Sequence, residues 1–472
     1  MSEKPIMISG SGLSALILAR MVRKLLRDGR PILIVEQEEA IGGQFRSFDY
    51  GDHGVFDHGM HIYYESCIPE VDTLFTDILA ANEWNILEGN RKDIAGLFVN
   101  GRLQVDTPYI DLRNVDPEFL RICIGELLLH VQSSITGEKF PGRSAYDVTR
   151  RQFGEFITDR VFVPIFGKLY QSHPDKLDEL ATHLTAVNRV ALFDSEMALE
   201  LMKSELLRSR ICYPHQLNMP PFRANNQRGF YPKKYGMFRV IDRLRAVLEQ
   251  ENTRFLTSSS VASLTSKGQQ ITGATLKTAD GKVIEVEIDR LYWTAGSVPL
   301  AKLLGIDLGG LPYDRNNKEA YYVNFLFEEP PAMGELYYFY CFDLGFRSFR
   351  VTNYTNYCPA AALGRGYPVC VEIWAQEGDP TDQKAIVNIA RQELVRFGVV
   401  SDGAAERFSR AEKVSAGGFP LPSINNVGFL ETARDRIQEK GHENLLMFGA
   451  YSSKNTFFIK DILTDAFRKI MR

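Results

Sequence analysis

Two short apolar runs bracket a longer periodic one at the start of the chain. Residues 6–8 are wholly apolar, residues 31–35 nearly so, and each has the length of a buried strand. Between them apolar residues recur at Leu13, Leu16, Ile17, Met21, Leu25 and Leu26, while Arg20, Arg23, Lys24 and Arg27 fill the gaps. That spacing predicts a helix with a polar face, and Gly29 is placed to stop it. The pattern therefore predicts a strand–helix–strand unit ending at Glu36. Further along it predicts helix over 70–90, 116–135, 145–170 and 190–212, then a break at Pro220, Pro221, Asn225, Asn226 and Gly229. A turn in "YPKKYG" leads into another amphipathic helix. Residues 254–296 read as strands, with a hairpin signal at Asp280 and Gly281. Further β-type runs are "AYYVNFLF", "LYYFYCF", "SFRVTNY" and "PVCVEIWA". The last stretch reads as a strand and turn in "ENLLMFGAYSS", then an amphipathic helix in "FIKDILTDAFRKIMR".

Small residues sit where the first unit needs them. Gly10, Gly12 and Ala15 form G-x-G-x-x-A between the first strand and its helix. Gly10 permits the tight turn, Gly12 lets backbone amides approach a pyrophosphate, and Ala15 allows close helix–strand packing. The helix N-terminus favours the anion, and Glu36 at the end of the second strand can accept hydrogen bonds from ribose hydroxyls. Leu13 and Ser14 at the helix mouth and Gln37 beside the acid belong to the same nucleotide-facing set. A lone glycine motif is weak, but here its strand, helix, second strand and acid are all in place, so dinucleotide binding is expected.

Composition narrows the class further. The chain has 472 residues, 44% apolar and 24% charged, which is a globular composition with room for two or three domains. A net charge of −4 gives no electrostatic reason to expect nucleic acid or an anionic membrane as partner. No run of about 18 uncharged apolar residues appears, so no integral membrane segment is expected. The first strand starts near residue 6, so no removable leader is expected either. Six scattered cysteines (Cys67, Cys123, Cys212, Cys341, Cys358, Cys370) form no C-x-x-C pair and read as reduced thiols of a cytoplasmic protein. With 30 Phe and 20 Tyr the chain is rich in aromatics, which suits a large pocket or a large core equally. The expected partner is a small-molecule substrate; the oligomeric state is not legible.

The order of parts resembles a known family. The G-x-G-x-x-A unit, an acid followed after five residues by Gly42 and Gly43, a late β-meander and a strand–Gly–helix at the end are similar to glutathione-reductase-like FAD flavoproteins. The branch is that of amine oxidase, protoporphyrinogen oxidase and UDP-galactopyranose mutase. The resemblance implies an α/β fold in which a Rossmann-like FAD-binding domain interleaves with an α+β substrate domain. The FAD-binding segments would be 1–90, 225–300 and 425–472; the substrate segments would be 91–224, mainly helical, and 301–424, β-rich. It also implies FAD as cofactor, with Gly42 and Gly43 beside the pyrophosphate and ribityl chain and Gln44 to Ser47 running past the flavin. The strand containing Val261 would meet the adenine edge, and Gly449 would sit by the ribityl chain. The helix beginning near Phe458 and Ile459 would aim its N-terminus at the flavin, where a reduced ring carries negative charge. Two departures stand out. Gly449 is followed by Ala450 where the family commonly has Gly-Asp, and "GAYSS" lacks the mutase run Gly-Arg-Leu-Gly.

Candidate chemistry lies in two places. In "FDHGMHIYYE" Asp57, His58 and His61 fall around Gly59, and the run resembles the Gly-Pro-His segment that mutases place against flavin. His61 would donate to flavin O4 or carry a proton beside N5, with His58 and Gly59 lining the cofactor and His58 structural in role. A metal site from His53, His58 and His61 matches no ligand spacing, so no metal is expected. Arg350 in "SFRVTNYTNYCP" resembles the arginine that mutases set near a substrate phosphate, and its fork suits a diphosphate or carboxylate; the alternative is a charge on a half-buried strand. Tyr231 and Tyr451 lie in segments expected near the flavin. Pro420 and Pro422 read as shaping the chain, and the apolar centre of residues 122–131 as core or a membrane-dipping element. The reading is an FAD-dependent oxidoreductase moving a hydride from a polar or sugar-linked small molecule to flavin N5. Two alternatives remain open: a redox-neutral nucleotide-sugar mutase using reduced flavin as nucleophile, and a non-catalytic dinucleotide-binding protein.

Overall fold

A computed structural model describes residues 3–136, 142–184, 188–221, 227–315, 319–362, 364–375, 382–415, 421–454 and 456–472. Asn225, Asn226 and Pro420 lie outside the described residues. The chain divides into two compact units: Met1–Ile86, Gln227–Tyr313 and Gly428–Arg472 form the first, Leu87–Asn226 and Asp314–Val427 the second. The sequence-based limit at 300 thus moves to 313. The physical reason is burial: Leu300 and Ala301 are fully buried with Met7 and Leu291, and Ile306 and Leu308 pack on the same cluster.

The first unit is built on a parallel five-stranded sheet. Its order is Thr253–Leu256, Ile32–Val35, Ile6–Ser9, Arg290–Trp293, Leu445–Met447. Ile6 pairs in register with Ile32 on one side and Arg290 on the other. The opening strand is central and buried at all four positions, which is why its sequence is continuously apolar rather than alternating. An antiparallel three-stranded sheet is appended, made of Ser259–Lys267, Gln270–Thr278 and Val283–Glu287, with the expected Asp280 and Gly281 turn between the last two.

The first helix runs Leu13–Lys24 and ends before Leu25 and Leu26, five residues short of Gly29. The chain turns away because Arg27 is left-handed at φ 52° and the Arg23 guanidinium accepts the bend, donating to the Asp28 and Arg30 carbonyls at 2.6 Å each. Arg20 departs from its expected polar face: it is buried, and its Nη1 reaches Glu251 at 3.1 Å, joined there by Lys24 at 2.6 Å.

The second unit holds a seven-stranded sheet in the order Glu406–Ser415, Glu319–Phe327, Tyr367–Trp374, Ser348–Asn353, Tyr338–Cys341, Ala95–Val99, Arg102–Gln104. All its neighbours are antiparallel except Tyr338–Cys341 with Ala95–Val99. A helical layer carries Pro117–Thr136, Ala145–Phe153 and Val163–Tyr170, sharing a core of Cys123, Leu127, Phe153, Phe162 and Phe166. Two predicted helices differ. Residues 70–90 give only Pro69–Thr76, after which Trp84–Leu87 is a strand. Residues 190–212 open with the strand Val190–Ala191, drawn into parallel pairing by Ile110–Asp111, and the helix waits for the Asp194 cap, whose carboxylate takes the Met197 N–H at 2.9 Å. No disulfide joins the six cysteines; five are buried and Cys67 is exposed. Among the described residues no helix is long and apolar enough to cross a membrane.

Candidate functional site

All five strands of the parallel sheet run the same way, so their carboxyl ends meet on one edge, where open α/β sheets bind ligands. The loops there are Gly10 to Gly12, Glu36 and Gln37, Ser258 and Ser259, Thr294, and Gly449. Gly10 has φ 97°, and a Cβ on it would stand 2.5 Å from Thr294 Oγ1, so both the turn and the tight packing require glycine. Gly12 differs. Its backbone suits any residue at φ −60°, and a Cβ there would meet nothing within 4 Å. The space in front of it is open, at the N-terminus of the Leu13–Lys24 helix, whose first turn carries no acid. A pyrophosphate fits that position by charge and by room.

The second glycine pair closes the cradle. Gly42 N donates to the Ser11 carbonyl at 2.9 Å and bridges Gly12, while a Cβ on Gly43 would sit 3.1 Å from Gly12 Cα. Gln44 is exposed beyond it and Phe45 is buried. Glu36 ends its strand with a committed carboxylate: Ser11 donates to Oε2 through N at 2.9 Å and Oγ at 2.6 Å, and Glu38 N donates to Oε1 at 2.9 Å. Ser11 was invisible to the motif, because the G-x-G pattern leaves its middle position free. Ser259 N donates to the Glu36 carbonyl at 2.8 Å and Ser258 N to that of Glu38 at 2.9 Å. The half-buried Val261 two residues on belongs to this edge, and Gln37 is exposed there. On the far side Phe448 N donates to the Trp293 carbonyl, bringing Gly449 against the Thr294 carbonyl. The final helix starts at Ile459, with Phe458 half-exposed as its cap and its backbone N–H donating to Asp461 at 3.3 Å. That carboxylate already faces part of the helix dipole expected to serve a flavin.

Around Gly59 the structure separates the roles of neighbouring residues. Asp57 is fully buried and organises the loop: its carboxylate accepts from Tyr231 Oη at 2.5 Å, Ser47 Oγ at 2.7 Å and Met237 N at 3.1 Å. Burial pushes it up to about 6 against the pull of these donors. Sequence reasoning placed Asp57 and Tyr231 in the region but found no signal for their pairing, 174 residues apart. His58 is buried and stacked on Phe48 with ring centres 4.1 Å apart; burial, then the nearby His61 and Arg46, lowers it to about 3, so it is neutral. His61 is half-buried, edge-on to Phe45 at 5.3 Å. Arg46 ties this segment back to the cradle, its Nε donating to the Gly43 carbonyl at 3.1 Å.

Arg350 lies in the other unit, and its fork is taken. Nε and Nη2 donate to the two oxygens of Glu372 at 2.5 and 2.8 Å, between the rings of Tyr340 and Phe349. A carboxylate of the chain itself stands where the sequence reading put a substrate anion. The Arg350 side chain is half-buried at 16% exposed, and its Glu372 partner is buried at 2%. The apolar helix centre is mixed: Cys123 and Leu127 are core, whereas Ile122, Leu128 and Leu129 are exposed.

Sheet order, glycine cradle and terminal acid give the first unit a Rossmann-like fold. In keeping with this, residues 8–78 match the family model of the NAD(P)-binding Rossmann-like domain. None of the curated proteins matches the chain in sequence. Among solved structures the fold is similar to that of reduced UDP-galactopyranose mutase, at 16% identity and TM-score 0.70 over 93% of this chain and 88% of that one. A candidate protoporphyrinogen oxidase from Exiguobacterium sp. 255-15 is similar at 14% identity and TM-score 0.67, over 100% of this chain and 98% of that one. Wild-type putrescine oxidase bound to putrescine follows at 12% identity and TM-score 0.60, over 100% and 99%. The chain thus shares its fold with these three structures.

Proposed function

We propose that this chain is an FAD-dependent oxidoreductase acting on a small molecule. The observation that carries the reading is the open space at Gly12, closed from behind by Gly43 and flanked by Glu36: a backbone cradle that only a missing side chain keeps clear. The residues present fit FAD. The N–H groups at Leu13 and Ser14 would hold the pyrophosphate, Glu36 and Gln37 the ribose end with Val261 beyond it, and Gly43 and Gly449 the ribityl chain. Gln44, Gly59 and the segment of Phe45, His58 and His61 extend past a simple nucleotide cradle, which favours the longer flavin cofactor over nicotinamide alone. Bound there, FAD supplies a two-electron acceptor at N5 for a hydride from a C–H bond next to an alcohol or amine.

His61 is the residue proposed to hold or move a proton at its ring nitrogen, with Phe45 fixing its edge and neutral His58 packing behind. The N-terminus of the Ile459–Ile470 helix would face the ring. Arg350 would grip a polar substrate's anion only by exchanging Glu372 for it, so the proposal rests on the cradle and His61. The test is the visible spectrum of the purified protein, followed by chromatography of what acid releases. Flavin bands with FAD recovered are expected; a colourless protein that rebinds no FAD would overturn the reading. Bleaching by substrate under nitrogen is the oxidoreductase outcome, and turnover without bleaching would give the site to a mutase.

A further inference from the structure

Within the second unit lies a cavity of about 600 Å³, inside the range of about 300–1,000 Å³ typical of small-molecule sites. Its wall is mainly apolar, with Ile110, Leu112, Val115, Phe119, Ile165 and Phe342 prominent. The polar groups on it are not equivalent. Asp116 is spent on the helix it begins, accepting from Glu118 N and Phe119 N at 3.0 Å each. Asp343 accepts from Asn100 N and Gly101 N at 2.7 Å each. The side chain of Arg160, on the lining and exposed, makes no hydrogen bond or ion pair with any other described residue. Of the charged groups, the guanidinium alone has all its donors uncommitted.

The backbone that presents it is also unusual. Thr158–Phe162 is a π-helical turn between Glu155–Ile157 and Val163–Tyr170, and such bulges are rare and gather at functional sites. Its start is held firmly, since Glu126 takes Phe156 N at 2.9 Å and Ile157 N at 3.0 Å, and Thr158 Oγ1 donates to the Gly154 carbonyl at 2.6 Å. The bulge puts both Arg160 and Val161 on the cavity wall. The hairpin turn after Phe342 leaves Leu344, also on the lining, 67% exposed, an apolar side chain in water beside an apolar hole.

We propose that this cavity binds a single-chain amphipathic anion, its apolar chain inside and its carboxylate on Arg160. The site is independent of the cradle in the first unit and does not need the flavin reading. It is tested by isothermal titration calorimetry of the purified full chain with octanoate, decanoate and dodecanoate, with dodecanol and dodecylammonium as controls. Saturable one-to-one binding is expected, tightening up to about fourfold for each added methylene that is buried. Dodecanoate should bind more tightly than either control. Arg160→Gln should weaken dodecanoate about fivefold and leave dodecanol unchanged. Leu344→Asp, which sets a like charge at the rim, should weaken dodecanoate as well. Both residues are exposed, so both variants should keep the wild-type urea midpoint, which is measured alongside. No saturable binding, tighter dodecylammonium, or dodecanoate affinity indifferent to both substitutions would overturn the site. Calorimetry reads the same with or without flavin, so loss of the FAD reading alone leaves this result standing.

Discussion

Gly12 and Gly10 show how the same residue type does opposite work two positions apart. Gly10 is glycine because the protein fills the space around it, Gly12 because the protein leaves it empty. Gly12→Val should therefore fold, with a thermal midpoint near that of the wild-type apoprotein, yet purify without flavin. Stoichiometric flavin in that variant would place the cofactor elsewhere. Asp57 offers a second test at this scale. Its carboxyl titrates near 6 in the folded chain against 3.8 as the ordinary value, so between those pH values the folded protein holds a proton that the unfolded chain has released. Stability from this group is present below pH 4 and is lost as pH rises through 6, by on the order of 3 kcal/mol. Relative to Asp57→Asn, the wild type should lose urea resistance between pH 4 and 7. A constant difference between the two proteins across that range would show that the carboxyl is not raised.

At the scale of elements, the second unit's sheet depends on a charge pair laid across two of its strands. Arg350 on Ser348–Asn353 stands opposite Glu372 on Tyr367–Trp374, and the Glu372 side chain is only 2% exposed. Such a pair contributes little net stability over an apolar pair, but removing one member strands the other. Glu372→Gln should cost about 3–5 kcal/mol in urea unfolding, against about 0–1 kcal/mol for removing the exposed Glu118 that pairs with Arg121. If Glu372→Gln were as mild as the surface change, Arg350 would have a second anion available, and the substrate-gripping role first read from its sequence would regain its footing.

For the whole molecule the relevant quantity is linkage between cofactor and fold. The cradle is assembled from three stretches of chain, 1–86, 227–313 and 428–472, that come together only when the first unit is folded. A ligand that binds this state and not the unfolded chain stabilises it by about 2.7 kcal/mol at a hundred times its dissociation constant. FAD added to apoprotein should therefore raise the thermal midpoint in a concentration-dependent way. An unmoved midpoint at saturating FAD would mean that no such cofactor is held by the folded unit.

Much of the first unit was legible in the sequence because its signals are local. A continuous apolar run makes a central strand, a 3.6-residue period makes its helix, and glycines with an acid at fixed spacing make the first part of the cradle, all within residues 6–43. The same locality explains the misreadings. Arg20 was placed on a polar face because periodicity cannot see Glu251 arriving from 231 residues away. Residues 190–212 carry helical spacing, yet pairing with Ile110 and Asp111 decides that Val190 and Ala191 are extended. Arg350 looked like a free fork because Glu372 lies 22 residues on, in another strand. By itself the sequence determined the strand–helix–strand start of the Rossmann-like unit and the glycine turn within it. The tertiary structure alone decided which charges are spent on one another, that Asp57 is a buried hub, and where a cavity with one uncommitted guanidinium remains. Those outcomes depend on groups far apart in the chain competing for the same partner, and no local pattern records that competition.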